Sequence, residues 1–308
     1  MKPVYTFADL EAWETVTADE RPPLRLAVLG DPVAHSFSPQ MHNAALRASG
    51  LDVGYCRLHI QPEELSAALH LLPKKGFIGV NCTIPHKAGA LAAMDEVDDH
   101  AQLAGGVNTI RISKEGQLQG FSTDGLGLER AVAEDLGVDL HDMRVLVLGA
   151  GGGAGHAVSM HCASAGVRFL VLVNRSMEKL HPVHEAISAI YPRELQLLQP
   201  WNDKALAKAL DSSDLVINCS SLGMKPDDPS PIPASLIAPR HLLFDTIYTA
   251  DRTPLMRAAD AAGARSANGL SMLLYQGAIS FEMWFQRHAP LEVMRKALFE
   301  QAHTRLSA

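Results

Sequence analysis

Val145-Leu146-Val147-Leu148-Gly149-Ala150-Gly151-Gly152-Gly153-Ala154-Gly155 runs an unbroken apolar stretch into a glycine cluster, and a small-residue run follows over 156–165. A buried parallel strand, a turn nearly free of side chains and a helix start together offer backbone N–H groups and a positive dipole end to a diphosphate. This predicts a dinucleotide site at Gly149, Ala150, Gly151, Gly152 and Gly153, although a bare glycine pattern also marks tight helix-strand packing. The acidic residue that would hold an adenosine ribose, about 20 residues further on, is missing. The apolar run 169–173 ends instead in Asn174-Arg175-Ser176, with Lys179 close behind. A guanidinium, a hydroxyl and an ammonium suit the extra phosphate of NADP, so the expected cofactor is NADP. The competing reading of Arg175 and Lys179 is a solvated surface.

The 308 residues are 47% hydrophobic and 20% charged, enough for one large core or two ordinary ones, with two domains the better prior. Net charge is -7 and no run of Lys and Arg forms a stripe, which disfavours nucleic acid and anionic membrane as partners and favours small molecules. Cys56, Cys82, Cys162 and Cys219 stand singly, as expected of reduced thiols in a cytoplasmic protein. The first twenty residues lack a basic start before an apolar core, and no apolar stretch reaches the roughly 18 residues of a membrane helix. The 14 histidines show no H-E-x-x-H spacing, so no metal is expected.

Strand-like and helix-like segments alternate over 24–94, a pattern that builds a mainly parallel sheet with helical cover. Residues 107–112 and 117–121 flank Lys114-Glu115-Gly116 and read as a hairpin forming an antiparallel edge. A second β-α series begins near Arg144, and the stretch from Gly269 is helical in pattern. The expected architecture is α/β with two domains: a substrate domain of 24–125 plus 265–308, a Rossmann-type domain of 126–264, and an N-terminal extension of 1–23.

Hydride transfer at an alcohol carbon also needs a proton acceptor. Asn81-Cys82-Thr83-Ile84-Pro85-His86-Lys87 leaves a strand and enters a helix, collecting polar groups at a strand's carboxyl end, where α/β sheets bind ligands. Lys87 is the candidate proton carrier there, against the plainer reading of a surface lysine. Asp124 opens a helix, either as a simple cap or to orient an ammonium or accept a hydroxyl proton. Ser36 and Ser38 precede Pro39 and either cap a helix or grip a small anion.

Seven ordered motifs give the chain its resemblance to the shikimate dehydrogenase family: S-x-S-P at 36–39, N-x-T-x-P-x-K at 81–87, G-x-V-N-T at 105–109, T-D-G-x-G at 123–127, G-A-G-G at 149–152, N-R-S-x-x-K at 174–179 and G-x-x-M-L-x-x-Q at 269–276. The resemblance implies NADP-dependent interconversion of 3-dehydroshikimate and shikimate, a step toward the aromatic amino acids, by a monomer or homodimer. It further implies that Ser36 and Ser38 bind the substrate carboxylate, that Asn81, Thr83, Asn108, Asp124, Tyr248 and Gln276 contact the substrate, and that Lys87 with Asp124 moves the proton. Ser220, Thr246 and Gly269 are placed by the same resemblance near the cofactor. Ser122, Cys82 and Phe37 depart from the family's commonest residues, which bears on which polyol acid fits. Quinate, with one more ring hydroxyl, and aminoshikimate are the neighbouring substrates, with NAD the neighbouring cofactor. A catalytically idle dinucleotide-binding sensor is the alternative from outside enzymology.

Overall fold

In the computed structural model, described over residues 2–225, 227–248 and 251–304, the chain divides into two units. One comprises the residues up to Thr123 and those from Gln276 onward, and the other is Asp124–Tyr275. Met1 and residues 305–308 of the expected segments lie outside the described residues.

The first unit holds a seven-stranded sheet: β1 (Tyr5–Thr6), β2 (Leu24–Gly30), β3 (Gly54–His59), β4 (Gly79–Cys82), β5 (Glu96–Val97), β6 (Thr109–Ile112) and β7 (Leu118–Phe121). Its order is β1-β3-β2-β4-β6-β7-β5, parallel from β1 through β4. The β6-β7 hairpin is antiparallel and sits inside the sheet, because the short β5 adds in parallel beyond β7, so the expected edge ribbon is not the edge. Ser113 and Gln117 close the hairpin turn, and Gly116 has φ 87° there, which an L side chain rarely adopts.

The expected N-terminal extension is corrected by the structure. Residues 5–16 form β1, which pairs with β3, and two short helices that bury Leu10 and Trp13. The Trp13 ring lies 5.1 Å from Tyr5 and 5.1 Å from Phe77, so this segment covers the sheet edge with aromatic area. Trp13→Ala should cost about 3–5 kcal/mol of stability; an unchanged urea midpoint would show that the segment is merely attached.

The second unit holds β8 (Arg144–Leu148), β9 (Phe169–Asn174), β10 (Gln196–Pro200), β11 (Leu215–Asn218), β12 (Leu242–Asp245) and β13 (Arg265–Asn268). All are parallel, in the order β10-β9-β8-β11-β12-β13, the doubly wound arrangement of dinucleotide-binding folds. Val145 to Leu148 are wholly buried because helices cover both faces, which is why that strand reads as continuous apolar sequence rather than alternation. The boundary expected at 264/265 also moves. Residues 265–268 are the last strand of this second sheet, paired to β12, and belong with it rather than with the substrate unit. The other boundary falls at the start of helix Asp124–Leu136.

All four cysteines are unpaired. Among the described residues no helix is long and apolar enough to cross a membrane, and no cluster of His, Cys, Asp and Glu could hold a metal ion.

Candidate active site

The register of the first sheet assembles the polar residues. Val28 faces Asn81, Asn81 faces Thr109, and Thr109 faces Phe121 across four neighbouring strands. Because β6 runs against its neighbours, its start lies at the same sheet end as the close of β2, β4 and β7. Ser36 and Ser38 after β2, Thr83 and Lys87 after β4, Asn108 before β6 and Thr123 after β7 therefore meet at one end.

Their contacts are specific. Ser36 Oγ donates to Ser38 Oγ at 3.2 Å, and Arg57 braces the loop by donating to the Ser36 carbonyl. Asn108 Nδ2 donates to Thr123 Oγ1 at 2.9 Å and to Gln276 Oε1 at 3.3 Å, while its Oδ1 accepts the Thr123 N–H at 2.8 Å. Thr123 is thereby held, and Asp124 follows it as the first residue of its helix, where the dipole favours a carboxylate. Lys87 opens helix Lys87–Leu91, and its carbonyl accepts the Val107 N–H at 2.9 Å. A Cβ at Gly106 would lie 3.3 Å from Lys87 Cβ, so the glycine permits this close passage and brings Lys87 beside the Asn108 segment. His86, next in sequence, is buried, with Nε2 2.7 Å from the Ile60 carbonyl, and is an anchor.

Asn81, expected to contact the substrate, is held by a network inside the first unit. Its Nδ2 donates to the Asn108 carbonyl, Thr109 Oγ1 and Ser280 Oγ at 3.0–3.1 Å, and its Oδ1 accepts from the Tyr55 hydroxyl at 2.8 Å. Both amide hydrogens are engaged inside the unit, so Asn81 is fixed in the site's floor, with a second lone pair on its Oδ1. Tyr55, Thr109, Thr123 and Ser280 were missed by sequence reasoning. Thr109 and Thr123 stood inside quoted motifs, and Ser280 lies four residues after Gln276 on helix Leu270–Phe285, whose spacing alone aligns the two.

Behind this floor, His42 stacks on Tyr55 with ring centroids 4.5 Å apart, and neither ring nitrogen has a hydrogen-bond partner. Burial lowers its pKa from 6.5 to about 3. As pH falls below 6.5 the unfolded chain takes up a proton that the folded chain refuses. Stability should therefore drop by about 1.4 kcal/mol per pH unit on this account between those values. Urea midpoints at successive pH values should show a shallower slope for His42→Met than for the parent; parallel slopes would refute the assignment.

In the second unit, Gly149 turns at φ 76° directly after β8, and its N–H and that of Ala150 donate to the Val173 carbonyl. Gly152 precedes helix Gly153–Ser164, and Gly152, Gly153 and Ala154 are exposed at its start, where the first N–H groups have no partner within the helix. A Cβ at Gly155 would lie 2.1 Å from the Gly149 carbonyl oxygen, so the glycine needed for close helix-turn packing is Gly155. A Cβ at Gly151 would meet Lys179 Cβ at 2.7 Å and Asn174 Nδ2 at 2.8 Å, which brings the end of β9 against the glycine turn. Asn174 Nδ2 donates to the Ser176 carbonyl and shapes that corner. Arg175 and Lys179 are exposed, and among the described residues no ion pair engages either side chain.

The loops after β11 and β12 are tied together. Ser220 Oγ and N donate to Asn218 Oδ1, Thr246 Oγ1 donates to the Asn218 carbonyl, and Asn218 Nδ2 donates to Asp245 Oδ1 at 2.9 Å. Burial raises the Asp245 carboxyl pKa. Gly269 has no room for a side chain, since its Cβ would lie 2.2 Å from the Thr246 carbonyl oxygen, and Tyr248 is half-buried in the intervening loop. The second unit thus offers a glycine cradle beside two cations, and the first offers paired hydroxyls, amides and an amine.

The sequence profile of the shikimate dehydrogenase substrate-binding domain matches residues 28–110, and that of the shikimate 5'-dehydrogenase C-terminal domain matches residues 269–299. A shikimate dehydrogenase (NADP+) of Symbiobacterium thermophilum is 40% identical over 275 residues, 88% of this chain and 92% of its relative. The chain belongs to the shikimate dehydrogenase family. Among solved structures, a shikimate dehydrogenase in complex with NADP+ matches with TM-score 0.83 and 33% identity, covering 91% of this chain and 96% of that one. The shikimate 5-dehydrogenase of Thermus thermophilus, in complex with NADP(H) and shikimate, matches with TM-score 0.79 and 36% identity, covering 91% and 99%. Membership of the shikimate dehydrogenase family accounts for the seven motifs occurring in one order along a single chain.

Proposed function

We propose that this chain catalyses the reversible, NADP-dependent reduction of 3-dehydroshikimate to shikimate. The observation that carries the reading is the convergence of Ser36, Ser38, Thr83, Lys87, Asn108 and Gln276 on one end of the first sheet, in a member of this family. The buried serine pair suits a carboxylate, which accepts hydroxyl hydrogen bonds, and Thr83, Asn108 and Gln276 suit ring hydroxyls that both donate and accept. Tyr248 and Asp124 complete the substrate contacts.

The second unit's donor set fits NADP. Gly151 and the exposed helix start at Gly153 and Ala154 would offer backbone N–H groups to a diphosphate, those of Gly149, Ala150 and Gly152 being bonded within the fold; Asn174 and Ser176 would border the ribose, Arg175 and Lys179 would bring positive charge to a 2'-phosphate, and Ser220, Thr246 and Gly269 would border the nicotinamide. When bound, the reduced cofactor supplies a hydride for the ring carbonyl carbon. Lys87 in its ammonium form gives the proton to the carbonyl oxygen, and Asp124 holds the ammonium and the adjoining hydroxyl in orientation. In the oxidative direction Lys87 takes the hydroxyl proton as base.

Spectrophotometric assay with shikimate and NADP+ tests the proposal directly, since reduced nicotinamide absorbs where the oxidised form does not. Turnover with shikimate and NADP+ should exceed that with quinate or with NAD+. Preference for quinate with NAD+ would overturn the substrate and cofactor assignments together.

A further inference from the structure

Helices Asp124–Leu136 and Gly153–Ser164 lie in the same unit, and His161 fills the contact between them. A Cβ on Gly125 would fall 2.4 Å from His161 Cγ, 2.5 Å from its Nδ1 and 2.7 Å from its Cβ. The imidazole therefore occupies the space over the residue that directly follows Asp124. One turn later its Nε2 lies 2.8 Å from Glu129 Oε2, with the His161 side chain only 10% exposed. Gly125 and Glu129 stand four residues apart on one helix face, so a single imidazole contacts both.

We infer that His161 is a positioning residue for Asp124. It rises from the helix that starts at the glycine turn and clamps the first two turns of the helix that starts at Asp124. The glycine at 125 gives the clamp its seat and the Glu129 carboxylate fixes the ring's rotation, since a neutral imidazole carrying its proton on Nε2 and an imidazolium both donate there. A carboxylate on a helix's first residue is prone to fraying, and restraint of that turn holds it where proton transfer needs it. The inference rests on the reading of Asp124 as the partner of Lys87.

The test uses His161→Leu, which keeps bulk but removes the donor, His161→Gln, whose amide nitrogen reaches about as far as Nε2, and Glu129→Ala, which breaks the same contact from its less buried side. His161→Leu and Glu129→Ala should each lower kcat with shikimate about tenfold and leave the Kd for NADP+ within about twofold, whereas His161→Gln should keep most of the parent kcat. In an Asp124→Asn background, His161→Leu should add no further loss, because a residue acting through Asp124 has nothing left to position. Unchanged kcat in both His161→Leu and Glu129→Ala, a loss in His161→Gln as deep as in His161→Leu, or losses that multiply with Asp124→Asn would each overturn the inference. Should His161→Leu fail to fold, Glu129→Ala alone and with Asp124→Asn decides. Full turnover in Asp124→Asn would instead strike at the reading of Asp124 itself, and the two failures are told apart by that single variant.

Discussion

Lys87→Ala lowers kcat for shikimate oxidation by about 10²- to 10⁴-fold, with a smaller change in KM. The size follows from what is lost: a positioned proton carrier typically contributes that much, whereas the serine pair and amides that bind the substrate are untouched. The structure favours a kinetic effect over a folding one. The backbone at residue 87 is fixed by the Val107 N–H and by the close passage of Gly106, neither of which depends on the lysine's distal atoms. Alanine also keeps the helix start intact. Steady-state kinetics with shikimate and NADP+, with the thermal midpoint as a control, settle the point. A variant that keeps full turnover would show that another group carries the proton.

Arg175→Asp should reverse the cofactor balance, raising KM for NADP+ by about 10- to 150-fold while affecting NAD+ far less. A charge-assisted hydrogen bond to a phosphate is worth about 1.5–3 kcal/mol, and the introduced carboxylate adds repulsion toward the 2'-phosphate while offering NAD an acceptor for its ribose hydroxyls. Arg175 is exposed at the end of β9, so the exchange leaves the core alone. The ratio of kcat/KM for NADP+ to that for NAD+ measures the effect. An unchanged ratio would mean that Arg175 is solvated surface and that Lys179 or backbone groups read the phosphate.

Much of the second unit was legible beforehand because its signals are local. The apolar run 145–148, the glycines and the cationic corner after β9 each express their chemistry within a few residues of themselves. Even there the glycine that lets helix and turn touch is Gly155, which only packing shows. β10 and β13 went unread, since Gln196–Pro200 and Arg265–Asn268 are polar and short and become strands by pairing with β9 and β12. The N-terminal segment failed for the same reason: Tyr5-Thr6 is no strand by periodicity, and only the open edge of β3 makes it one.

From its residues alone the chain determined a two-part α/β fold, a dinucleotide turn and the types of side chain available for chemistry, because strand-forming runs, glycine turns and helix starts depend on near neighbours. The tertiary structure alone decided that Tyr55, Thr109 and Ser280 brace Asn81, and that His161 sits against Gly125. Those outcomes depend on the register between strands and on contacts between helices far apart in the chain. A side chain's hydrogen-bonding capacity is written in its own formula, whereas the partner that uses it is chosen by whichever backbone the fold lays alongside.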